Sequence, residues 1–200
     1  MPRKRKNAMP RSTFGQANSR LVFTGLPLAD FTVTNEPIFF HSPDVEKLVD
    51  QAAPLLRQKN GQAAERLFRQ AVALEPNQPD LLNNLAVSLE LQDRKRESLA
   101  LLETLHYLYP DYLFARTGLA GAAMREDDFE RAAELLEPLF KRRKFHVSEY
   151  DALCATQIDY LLLQNDVSTA RVWFKMWEDC NPQNPKLDFY RRLLQRYLEF

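Results

Sequence analysis

Residues 62–76 read QAAERLFRQAVALEP, and the chain returns to this pattern at a nearly fixed step. Small residues recur at Ala64, Ser98, Ala132 and Ala170, separated by 34, 34 and 38 positions. Four positions further on stand Phe68, Leu102, Leu136 and Phe174; three beyond those stand Ala71, Leu105, Leu139 and Trp177. A proline follows in three of the four units, at Pro76, Pro110 and Pro182. Spacing of i, i+4 and i+7 places each set on one face of a helix. The small residue lets another helix approach, and the large one fills the gap beside it. The segment before each set carries its own stripe, which in the second unit is Leu82, Leu85, Ala86 and Leu89. Each unit is therefore expected to be two antiparallel helices joined by a short polar turn. So short a pair cannot bury its apolar face alone, so the units must stack.

These residues resemble the tetratricopeptide repeat (TPR), whose 34-residue pattern runs W-x2-L-G-x2-Y…A-x3-F…P. The second unit gives Leu82-x2-Leu85-Ala86-x2-Leu89…Ser98-x3-Leu102…Pro110. The third gives Leu119-Ala120…Phe129…Ala132-x3-Leu136, the fourth Ala170-x3-Phe174 and Pro182, and the first Ala64-x3-Phe68, Ala71 and Pro76. The resemblance covers roughly residues 44–184 and implies an all-α, right-handed superhelical stack of antiparallel helix pairs, a TPR α-solenoid.

Four regions are expected: a disordered basic tail (1–20), an extended apolar arm (21–42), four helical hairpins (43–184) and a capping helix (185–200). The tail and the rest of the chain differ in charge. Residues 1–29 hold Arg3, Lys4, Arg5, Lys6, Arg11 and Arg20 and no acid; the remainder holds 21 basic and 27 acidic residues, so a formally neutral chain divides into +6 and −6. The arm is rich in apolar residues, interrupted by Pro27 and Pro37, and alternates like a strand at Phe31-Thr-Val-Thr. It is too apolar to stand bare in water, so it is expected to lie on the helices, in its own groove or that of a second copy. Ser42 or Asp44 is expected to cap the first helix, and Pro54 to kink or split it. Asp127-Asp128 and Asp93 read as helix caps. The four extra residues before the fourth unit fall within 141–150, where they would lengthen a helix or widen a loop. The polar face of Arg191, Arg192, Gln195, Arg196 and Glu199 suits an end cap.

The sequence argues against catalysis. His41, His106 and His146 lie far apart without metal-ligand spacing, and neither a phosphate loop nor a nucleophile elbow is present. Cys154 and Cys180 read as buried thiols. No apolar run is long enough to cross a membrane, and no cofactor is expected. The expected location is cytoplasmic, with a nuclear or organellar address in the basic tail left open.

The TPR resemblance implies a protein partner held on the concave face, which is lined by the first helix of each unit. The candidate groove residues are Arg57, Asn83, Asn84, Val87, Leu91, Phe114, Thr117, Met124, Arg125 and Asp159, with Asn84 the sharpest among them because an amide both donates and accepts. Some TPR proteins grip an acidic C-terminus with a two-carboxylate clamp. Its positions here hold Val49, Ala53, Phe114 and Gly118, leaving only Asn84, which argues against that partner. The function expected is a non-catalytic adaptor, assembly factor or chaperone-like holder. The alternatives are an accessory subunit of an enzyme complex, or a nucleic-acid-associated regulator. The last would use Arg3, Lys4, Arg5 and Lys6 with a phosphate contact at Lys141, Arg142, Arg143 and Lys144.

Overall fold

The computed structural model describes residues 19–21 and 31–197. Among them are α1 (Pro43–Arg57), α2 (Gly61–Leu74), α3 (Pro79–Glu90), α4 (Lys95–Leu108), α5 (Leu113–Arg125), α6 (Phe129–Leu136), α7 (Val147–Leu163), α8 (Val167–Cys180) and α9 (Leu187–Arg196). Three short strands accompany them: β1 (Ser19–Leu21), β2 (Phe31–Thr34) and β3 (Lys144–His146). Helices pack in consecutive pairs, α1 on α2 through α7 on α8, and α9 rests on α8. The stack is all-α in its frame. The repeating small residues Ala64, Ala132 and Ala170 are fully buried, as are Phe68, Trp173 and Trp177.

One turn builds all four hairpins. Lys59, Asp93, Asp127 and Asn165 each take a positive φ of 58–59°. In each, that residue's N–H reaches back three residues (to Leu56, Glu90, Met124 and Leu162), and the next N–H reaches back five (to Leu55, Leu89, Ala123 and Leu161). This is the Schellman closure of a helix C-terminus. The residue after the positive φ begins the next helix. Asn60, Asp128 and Asp166 cap it with their side chains, accepting from the N–H groups of Ala63, Arg131 and Thr169. Asp128 thus caps as expected. Asp93 does not: it occupies the left-handed position and pairs with Lys95. The first residue of that unit's second helix is preceded by Arg94, which cannot cap and instead grips Glu65 and Glu97.

Other expectations are corrected. Helix α1 is not split at Pro54, which lies in its last turn, where little helix remains beyond it to be broken off. Ser42 precedes α1 but makes no side-chain cap; its N–H donates to Glu75 Oε1 at 2.8 Å. The extra residues of unit four lengthen a helix by about a turn, one of the two outcomes expected: α7 has 17 residues where α5 has 13, and it starts 34 positions after α5. After α6 a 3-10 turn (Glu137–Lys141) contains Pro138, and β3 follows.

Strand β3 is where the N-terminal arm docks. β2 pairs with it in parallel, Val33 opposite Phe145, and β1 pairs antiparallel on the far side of β2. Phe31 is buried, stacked on Tyr150 and edge-on to Phe145. From there residues 35–42 pass along the edge of the stack. Glu36 pairs with Lys144, and Phe39 meets Tyr112 between α4 and α5. His41 bridges Glu75 and Asp80 between α2 and α3. The segment therefore spans three inter-unit turns before the chain enters unit one.

Candidate functional site

Because the arm follows the turn edge, its described residues leave the concave face uncovered. That face carries two depressions that share Arg125. The first, about 280 Å³, is lined by Asn83, Ala86, Val87 and Glu90 of α3, Ser98 and Leu102 of α4, Phe114, Thr117, Gly118 and Arg125 of α5, and Thr156 of α7. The second, about 440 Å³, is lined by Gly121, Met124 and Arg125 of α5, Asp159, Leu162 and Leu163 of α7, and Leu193 and Tyr197 at the end of the chain's last helix. Gly118 fits because a Cβ there would fall 2.9 Å from Leu102 Cδ1.

Seven of the ten candidate residues line these depressions, and three do not. Asn83, Val87, Phe114, Thr117 and Arg125 meet in the first; Met124, Arg125 and Asp159 meet in the second. Thr117 and Met124 are nearly buried and form floor, and the Thr117 hydroxyl is spent on the carbonyls of Leu113 and Phe114. Asn84, Leu91 and Arg57 line neither depression. Asn84 and Leu91 lie about 100° round α3 from Asn83 and Glu90, so a one-residue difference in register moves them off the lining. Sequence reasoning missed Leu193 and Tyr197, having read α9 as a simple cap. The signal for them was a second apolar stripe, Phe189, Leu193 and Tyr197 at i, i+4 and i+8, beside the buried stripe Leu187, Tyr190 and Leu194.

The electrostatics of the groove rest on three groups. Arg125 pairs with Glu90 at 3.4 Å, a half-exposed contact of small strength. Asp159 Oδ2 accepts a hydrogen bond from the Tyr190 hydroxyl at 3.0 Å. Burial pushes the Asp159 carboxyl up from the usual range, against the pull of that hydrogen bond. Apolar surface is open around it: Leu163 is 52% exposed and Tyr197 41%, with Val87 40% exposed in the first depression.

A further cavity of about 580 Å³ lies away from this face, between α4 and α6, with His106, Tyr107, Glu103 and Arg131 in its wall. Burial, then Arg116 and Arg131, push the His106 imidazole down.

The basic cluster at 141–144 has partners within the chain. Lys141 pairs with Glu137, Arg142 makes two hydrogen bonds to Glu149 while covering the Phe145 ring, and Lys144 pairs with Glu36. The Arg143 carbonyl accepts the Thr32 N–H in the parallel ladder. Arg3, Lys4, Arg5 and Lys6 lie outside the described residues. Cys154 and Cys180 are buried free thiols, and burial pushes both up. No described helix is long and apolar enough to cross a membrane.

The chain is similar in structure to known TPR stacks. One is the Sgt2 TPR domain from Aspergillus fumigatus, at 18% identity over 72% of this chain and 86% of that one, with a TM-score of 0.43. Others are two structures of a kinesin light chain with nearly identical TPR-like repeats from Podosopora anserina. Each is 17% identical over 80% of this chain and 94% of that one, with TM-scores of 0.49 and 0.48. The sequence matches no family profile and no curated protein. At this identity the likeness concerns the fold alone, and no partner is taken from it.

Proposed function

We propose that this protein is a non-catalytic interaction module that holds a segment of another polypeptide on its concave face, as an adaptor, assembly factor or chaperone-like holder. One observation carries the reading: two joined depressions on α3, α5, α7 and α9, open to solvent, with a floor shared with the core and exposed Val87, Leu163 and Tyr197 at their margins. Their exposed aliphatic and aromatic side chains, set among Asn83, Glu90, Arg125 and Asp159, suit an amphipathic or extended segment. The path of residues 35–42 along the turn edge supports it, since the chain's own described arm does not compete for the groove.

The test is affinity capture with the intact chain and with a Val87→Glu, Leu163→Glu double variant. Both substitutions replace exposed residues, so folding should be retained, as checked by circular dichroism. A partner captured by the parent and lost by the variant is the expected result. Equal capture by both would overturn the assignment of the concave face.

A further inference from the structure

We propose that the second depression selects a partner segment whose apolar side chains flank one cationic residue, with the cation seated on Asp159. This rests on the concave-face reading above and adds the chemistry of the occupant.

The other partly buried carboxylates of the stack are matched within the chain. Glu65 has Arg69 and Arg94, Glu149 has Arg142, and Glu178 has Lys175 and Arg191. Asp80 has His41. Asp151 has no cation, but accepts from Trp177 Nε1 and twice from the Asn181 amide. Asp159 has one donor, the Tyr190 hydroxyl, and no ion-pair partner among the described residues. A carboxylate offers about four acceptor sites, so most of its capacity is unfilled. Lys186 acts on Asp159 only through its charge, without an ion pair, and Arg125, which lines the same depression, pairs with Glu90. Around Asp159 stand Leu162, Leu163, Leu193 and Tyr197, which would exclude water once a segment lay over them.

Covering Asp159 with an apolar or acidic side chain would leave a desolvated charge without a counter-ion, which is strongly unfavourable. Covering it with an ammonium or guanidinium supplies the missing counter-ion. The gain is discrimination more than affinity, since a buried ion pair roughly balances its own desolvation. The apolar wall supplies the attraction and Asp159 supplies the choice.

The probes are three labelled amphipathic peptides of about 15 residues, with the same leucine stripe. They carry Lys, Gln or Glu at the centre of the polar boundary, and a distant residue balances net charge. Each is titrated by fluorescence anisotropy against the intact chain, Asp159→Asn and Leu163→Glu. The expected order on the parent is Lys tightest, Gln about 10-fold weaker and Glu weaker still, matching the preference set by a close charge pair. Asp159→Asn, which can still accept from Tyr190, should bind all three with little difference, and Leu163→Glu should weaken all three. Binding that is lost in Leu163→Glu but shows no Lys preference on the parent would overturn this inference and leave the groove reading standing. A Lys preference that survives in Asp159→Asn would overturn it in the same way. Failure of every peptide to bind the parent would overturn both. The order on the parent decides the matter even if Asp159→Asn does not fold.

Discussion

The joint between units two and three and the joint between units three and four do the same work with different material. At the first, α4 packs directly on α5, and the repeat keeps its step of 34. At the second, α6 barely touches α7; instead α5 packs on α7 and the gap is filled by the 3-10 turn, β3 and the arm strand β2. A contact between helices adjacent in sequence has been exchanged for one made by residues far away in the chain. Such a contact must overcome a large loop-closure entropy, so it needs a strong anchor. Phe31 provides it, fully buried against Tyr150 and Phe145. Repeat stacks gain most of their stability from neighbouring units; here the last unit also depends on the first part of the chain.

The most disruptive way to break this comparison is Phe31→Ala. Emptying an aromatic site in a packed core costs about 3–5 kcal/mol. The expected result in chemical denaturation is a loss of that order. Hydrogen exchange should rise first in β3 and the start of α7, while α2–α5 stay protected. Uniform loss of protection across all units would mean that the arm is not specific to the fourth joint.

Glu65→Gln probes the regular end. Glu65 is nearly buried between units one and two, bonded to Gln92, Arg69 and Arg94. Although burial works to raise it, these hydrogen bonds hold the carboxyl down at about 2, against 4.5 ordinarily. A depressed carboxylate stabilises the fold above its unfolded pKa. That contribution is therefore present above pH 4.5 and lost as pH falls toward 2. Glu65→Gln should cost about 2 kcal/mol at neutral pH. It should also flatten the acid limb of the stability profile in that window, as read by urea midpoints. An unchanged acid limb would remove Glu65 from the account.

A smaller effect of opposite sign is expected at His41, which fastens the arm midway. Burial works to lower its pKa, but the Glu75 and Asp80 carboxylates leave it raised above 6.5. A raised histidine stabilises below its unfolded pKa and loses that contribution as pH climbs through its folded value. His41→Gln should therefore destabilise by up to about 1 kcal/mol at pH 6 and by less at pH 9. Equal effects at both pH values would show that the imidazolium charge is not what holds the arm.

The smallest effect should be a gain. Of the four left-handed turn residues, Asp93, Asp127 and Asn165 tolerate positive φ, and Lys59 is the misfit. Lys59→Gly should stabilise by about 0.5 kcal/mol. The same change at Asn165, already suited to the turn, should give less. A loss at Lys59 would mean that its side chain contributes something the turn geometry does not reveal.

Much of the fold is legible in the sequence because its cause is local. The spacing of Ala64, Ser98, Ala132 and Ala170 dictates which helix faces can meet, and the apolar pattern of the third unit marks a helix at Leu113–Arg125, where α5 lies. The shared turn is also legible in principle, since Asp93, Asp127 and Asn165 sit at the same step of 34 and 38 and favour positive φ. The groove is legible only in part. Asn83, Val87, Phe114, Arg125 and Asp159 can be placed by periodicity. Asn84 cannot be distinguished from Asn83, because one residue is about 100° of helix rotation and no pattern fixes that angle so finely.

By itself, then, the sequence determined the repeating hairpin, its turn and the faces that must be buried, since all three follow from neighbours within a few dozen residues. Only the tertiary structure decided that Phe31–Thr34 pairs with Lys144–His146, that the described arm takes the edge rather than the groove, and that Leu193 and Tyr197 join Asp159. Backbone pairing between distant segments leaves no periodic trace in either one. The rotation of one packed helix against the next depends on all the side chains between them, so it is settled when the chain closes on itself.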